Sequence, residues 1–128
     1  MLSLRSYVRV VDNSGSFLGQ CIGVHGAGPW AKVGDVVTIS LQGVHANKKV
    51  SKGMVSKAIV IRTIKEARLL VGDFLKFGEN AVVLLGPNFL PVSKRVSGPI
   101  SKELRPRYNK NELRAKYLRI LALTAFIV

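Results

Sequence analysis

Apolar residues in this chain come in short runs separated by turn formers. Tyr7-Val8-Arg9-Val10-Val11 is rich in β-branched residues and predicts a first strand. Asp12-Asn13-Ser14-Gly15-Ser16 follows, and each of its residue types favours a turn. Phe17 to Val24 predicts a second strand, which leads into the loop His25-Gly26-Ala27-Gly28-Pro29. Val33-Gly34-Asp35 is a short turn before a third strand, Val36 to Leu41. Gly43 to Lys52 is polar and basic, a loop or ribbon. Val55 to Thr63 predicts the fourth strand, with Ala58-Ile59-Val60-Ile61 apolar at every position. Leu69 to Gly78 reads as a hairpin-like connection. Ala81 to Leu85 predicts the fifth strand, again apolar on both faces, and Gly86-Pro87-Asn88 stops it.

Five short strands without a long helical period before residue 100 predict an all-β, or mainly β, fold built on a small closed five-stranded β-barrel. Apolar runs that do not alternate imply strands covered on both sides, by the barrel interior and by the C-terminal segment. After Gly98-Pro99 the pattern changes. Asn111 to Thr124 places Leu113, Tyr117, Ile120, Leu121 and Thr124 near a helical stripe, with Asn111 as N-cap. Arg114, Lys116 and Arg119 lie away from that stripe. This predicts one short C-terminal helix, with the tail Ala125 to Val128 packed onto the barrel. A chain of 128 residues reads as one domain, with the barrel over 1–98 and a basic loop and helix over 99–128.

Charge changes the picture from fold to function. Twenty Lys and Arg stand against seven Asp and Glu, a formal net charge of +13, so a phosphate-rich partner is favoured. With 48% hydrophobic residues the chain is no disordered basic tail. Solubility alone needs far less charge than this. Two basic segments flank a near-neutral one. The first is Lys48, Lys49, Lys52, Lys57, Arg62 and Lys65, arranged around a Gly53 turn and the fourth strand. These side chains suit phosphate neutralisation, with salt-sensitive binding. The second is Lys94, Arg95, Lys102, Arg105, Arg107, Lys110, Arg114, Lys116 and Arg119. Arg105-Pro106-Arg107 reads as an extended arm, because Pro106 disfavours helix at Arg105. Tyr108 either stacks on a base or ribose or packs on its own helix.

Other chemistry is poorly supported. Cys21 is a single cysteine with no partner ligand near it in sequence, and reads as a small core residue. His25 and His45 have no Cys or acid at ligand spacing. Gly23, Gly26 and Gly28 precede Pro29 rather than a helix, so a dinucleotide reading fails. Asp12 and Asp35 fall in turns and read as turn residues rather than an acid–base pair. Nothing argues for an enzyme, a metal or another cofactor. No apolar run is long enough to cross a bilayer. The start, Met1 to Ser6, is basic and acid-free as transit peptides are, but the strand pattern at Tyr7 leaves little room for a removable segment.

Several segments in order resemble one family, the universal large-subunit ribosomal protein fourteen, in its bacterial and organellar form. The matching residues are Val11 to Gly15, Val33-Gly34-Asp35, Val50 to Thr63, Gly72, Phe77, Asn80 and Val83-Leu84-Leu85. Arg95 to Ile100, Glu103-Leu104-Arg105 and Lys116 to Leu123 continue the register. The resemblance implies a five-stranded barrel with a C-terminal part containing short helices. It further implies binding to large-subunit rRNA and to neighbouring ribosomal proteins on the intersubunit face, and a bridge to small-subunit rRNA. It also implies a docking surface for a ribosome silencing factor.

The sequence departs from the family pattern in places. The basic hairpin of bacterial relatives is here Leu69-Leu70-Val71-Gly72-Asp73, with its charge gone, so that a protein neighbour takes the place of an rRNA contact. Ser93-Lys94 replaces a Gly-Thr pair and alters the silencing-factor surface. Pro106 to Ala115 looks inserted, and Phe126-Ile127-Val128 is more apolar than usual. This drift points to a mitochondrial ribosome, ahead of a plastid or the bacterial cytoplasm. The competing reading is a free basic barrel acting as a nucleic-acid-binding translation factor or RNA chaperone. It calls for aromatics along one strand face, whereas the three tyrosines and Trp30 are scattered.

Overall fold

The computed structural model describes residues 2–25, 28–46, 50–68, 72, 74–86, 90–93, 95–100, 120, 122 and 124–127. Its elements are β1 (Tyr7–Val10), β2 (Ser16–His25), β3 (Val36–Val44), β4 (Val55–Arg62), β5 (Ala67–Arg68), β6 (Phe74–Leu75), β7 (Ala81–Leu85), β8 (Val96–Ile100) and β9 (Thr124–Ile127). Strands β1, β2, β3, β4 and β7 close into a barrel in that order. The five expected apolar runs are these five strands. All neighbours are antiparallel except β1 and β7, which meet in parallel at Arg9↔Ala81 and Val10↔Val82 and close the seam. The hairpin-like connection contains the paired strands β5 and β6.

The barrel is filled by one layer of alternate side chains. Val8, Val10, Cys21, Val37, Ile39, Leu41, Ala58, Val60, Val82 and Leu84 point inward, and Leu2 and Ala31, joined by a backbone bridge, belong to the same cluster. Five strands leave little room inside. Gly19 provides some of it, because a Cβ there would stand 3.0 Å from the Ile39 Cδ1 atom.

A second apolar layer lies outside the barrel. Ile59, Ile61, Ala81, Val83 and Leu85 on β4 and β7 are buried with Val96, Ile100 and Ile120. Two-sided burial is the reason these strands read as unbroken apolar runs. The covering layer includes β8, which accepts β9 as a parallel neighbour and donates from Ser97 N–H to the Val11 carbonyl at 2.9 Å.

The C-terminal expectations meet the structure only in part. Thr124, expected as the last residue of a helix, begins β9, and the tail pairs with β8 as a strand. The expected helix over 111–123 lies almost wholly outside the described residues. Position 98, expected as the end of the barrel part, falls inside β8.

Candidate nucleic-acid interface

The β3–β4 ribbon carries two described members of the first basic group, Lys52 and Lys57. Gly53 N–H donates to the Leu41 carbonyl and Leu41 N–H to the Met54 carbonyl, at 2.8 and 2.9 Å, which closes the ribbon. Lys52 and Lys57 are exposed there. Lys57 faces outward, because the inward positions of β4 are Ala58 and Val60. The cross-strand register places Thr38 beside it, and His25 hydrogen-bonds the Thr38 hydroxyl. One outward row of the barrel thus runs Gly23, Thr38, Lys57 across β2, β3 and β4. The next row runs Tyr7, Gln20, Ser40, Val55 across β1 to β4. Asp12, Asp35, Glu66 and Glu79, the described acids, lie outside these rows. Hydroxyls and amides between cations suit phosphate and ribose hydroxyl groups.

The other expected contacts are distributed differently. Lys65 is exposed but stands past the far end of β4, roughly 25 Å from the Lys52 end at ordinary strand rise. Lys48 and Lys49 lie outside the described residues, as do Lys94, Lys102, Arg105, Arg107, Tyr108, Lys110, Arg114, Lys116 and Arg119. Arg95 is exposed just before β8, with its N–H donating to the Ser93 hydroxyl.

Arg62 corrects the expectation of an exposed cation. Only 5% of it is exposed. Strict alternation would send its side chain inward with Ala58 and Val60, where an unpaired guanidinium is costly. A bulge between Val60 and Arg62 sets Ile61 and Arg62 against one partner, Ala81, and turns Arg62 outward beneath β8. There its Nη2 meets the Glu79 carboxylate at 3.3 Å and donates to the Ser97 carbonyl at 3.1 Å. Burial pulls the Arg62 pKa below its ordinary value; Glu79 opposes the shift and Arg9 adds to it.

These contacts form one wall of a cleft of about 480 Å³ along the outer side of β1. Arg9, outward on β1, shares Glu79 with Arg62 at 3.1 Å and keeps 66% of its side chain exposed. Asp12 sits at the cleft's edge. Its Oδ1 accepts from Ser14 N–H and Oγ–H, and its Oδ2 accepts from Leu84 N–H. Burial pushes its pKa above the ordinary 3.8, against the pull of those donors. Asp35 likewise serves a turn, accepting from Lys32 N–H at 2.9 Å. Phe17 and His45 also line the cleft, with ring centroids 5.0 Å apart. Nothing in the periodicity marked Arg9, Phe17 and His45 as neighbours, because it is the register of β1 on β2 and of β2 on β3 that brings these segments together.

A family model described as ribosomal protein L14p/L23e matches residues 1–126. The match takes in the whole barrel, the cleft and β8. The chain belongs to this family. L14p/L23e proteins are structural, non-enzymatic components of the large ribosomal subunit, so this chain's place is the ribosome. Membership in L14p/L23e implies large-subunit rRNA and ribosomal proteins as its partners.

Proposed function

We propose that this chain binds large-subunit rRNA on the intersubunit face, with Lys52 and Lys57 at the β3–β4 ribbon neutralising phosphates together with Lys48 and Lys49. The reading is carried by family membership over residues 1–126 together with exposed lysines bordering an outer sheet face of hydroxyls and amides. The second basic group, from Lys94 to Arg119, takes the rRNA or bridge contacts, including one to small-subunit rRNA. The altered Ser93-Lys94 segment is where a silencing factor meets the same face. The hairpin around Gly72, which lacks the basic residues of bacterial relatives, packs on a neighbouring ribosomal protein. The drift of the sequence from the bacterial pattern supports a mitochondrial ribosome as the chain's setting.

Gradient sedimentation of organelle extracts tests the ribosomal reading. The endogenous protein is expected to co-sediment with large subunits and to remain with them at moderate salt. Protein that stays at the top of the gradient while large subunits run below would overturn it.

A further inference from the structure

We propose that the cleft along β1 holds one unpaired RNA nucleotide, its base stacked on Phe17 and His45 and its phosphate held by Arg9. This rests on the ribosomal reading above and adds a specific subsite to it.

The aromatic wall is built rather than incidental. A Cβ at position 43 would stand 2.5 Å from Phe17 Cε2 and 2.6 Å from Phe17 Cζ, so the ring lies directly over the Gly43 backbone. Ser16 Oγ–H donates to the Gly43 carbonyl at 3.1 Å, and His45 N–H donates to the Gly15 carbonyl at 2.8 Å. These bonds fix the two ring-bearing segments against each other. Phe17 nevertheless keeps 47% of its surface open to solvent. An aromatic held in place with an open surface suits a base, and every base has a π-face to present.

Arg9, in the same lining, supplies the charge. A guanidinium has five N–H donors, and Arg9 places one nitrogen on Glu79. Its two-thirds exposed side chain leaves the remaining donors for a phosphate, in the planar geometry that suits paired oxygens. Arg62 is committed to Ser97 and Glu79, so it fixes the carboxylate that in turn orients Arg9. The cleft is large enough for a nucleotide and too open for a sealed cofactor site. An aromatic side chain of a protein neighbour would use the ring wall but leave the Arg9 donors unused, so RNA is the better fit.

The test uses the full chain and a single-stranded RNA octamer carrying one 2-aminopurine, whose fluorescence drops when it stacks. Wild-type protein is expected to quench the probe on binding. Phe17→Leu keeps an apolar cover over Gly43 but removes the ring; it should abolish the quench and weaken binding roughly tenfold. Gly43→Ala, which displaces the ring, should do the same. Arg9→Gln should keep the quench at saturation and make the salt slope shallower by about one unit. Absence of binding, binding without quench, or an undiminished quench in Phe17→Leu overturns the proposal; the last two outcomes would leave the ring wall to a protein neighbour. Any of these can occur with wild-type protein still co-sedimenting with large subunits, so failure of the subsite is distinguishable from failure of the ribosomal reading.

Discussion

At the residue scale, Asp12 shows how one half-buried carboxylate carries two opposing effects. It collects three donors, from Ser14 and Leu84, which favour the charged form. Burial disfavours that form more strongly, and the pKa rises from 3.8. The folded state therefore holds the proton more tightly than the unfolded state, and stability contributed by this group falls as pH rises through the window just above 3.8. Asp12→Asn cannot titrate. The difference in unfolding free energy, wild type minus variant, should decline with pH across that window and then stay level, as read by urea unfolding at a series of pH values. A difference that grows with pH would mean the three donors outweigh burial. The turn role of Asp12 was legible from Asp-Asn-Ser-Gly. Its reach to Leu84, 72 positions away, was not, because that bond exists only once β1 and β7 have closed the barrel.

At the element scale, β8 is fastened to the barrel by Arg62, a side chain that the sequence pattern assigned to an rRNA phosphate. Gly98 lies in the left-handed region, with φ of 81°. A Cβ there would fall inside the envelope of the Arg62 Nη1 atom. Gly98→Ala should therefore cost on the order of 3 kcal/mol, with backbone strain adding to displacement of the buried Arg62 guanidinium from its partners. Part of that cost is steric and depends on Arg62. In an Arg62→Ala background the same substitution should cost distinctly less, an interaction read from denaturant midpoints of the four proteins of the cycle. Strictly additive costs would show that Gly98 does not hold Arg62. The five barrel strands were readable because each is an apolar run bounded by turn residues. The bulge at Ile61-Arg62 was not, since a bulge leaves the local composition unchanged and alters only which way a side chain faces. Gly98-Pro99 read as a break, yet it lies within β8: in a short strand outside the barrel, a proline is tolerated where the ladder does not need its N–H.

At the scale of the whole molecule, the chain combines two apolar layers with a formal charge of +13, and the charge is what the family's setting has to neutralise. Lys52 and Lys57 lie on the ribbon side of the barrel, whereas Arg9 lies two residues along β1 from Tyr7, beside the cleft. An RNA that follows the outer face from Lys57 on β4 would meet the lysines first and the cleft after crossing β3 and β2. Binding through such dispersed cations depends steeply on salt, because each phosphate neutralised releases counterions. Lys52→Glu with Lys57→Glu removes two charges at each position and takes the net charge from +13 to +9. Both residues are exposed and outside the two buried layers, so the pair should fold as the wild type does. Affinity for large-subunit rRNA should fall, and the slope of log affinity against log salt should become shallower by about two units. An unchanged slope would mean that neither lysine neutralises a phosphate, and the rRNA contact would have to lie on another face of the barrel.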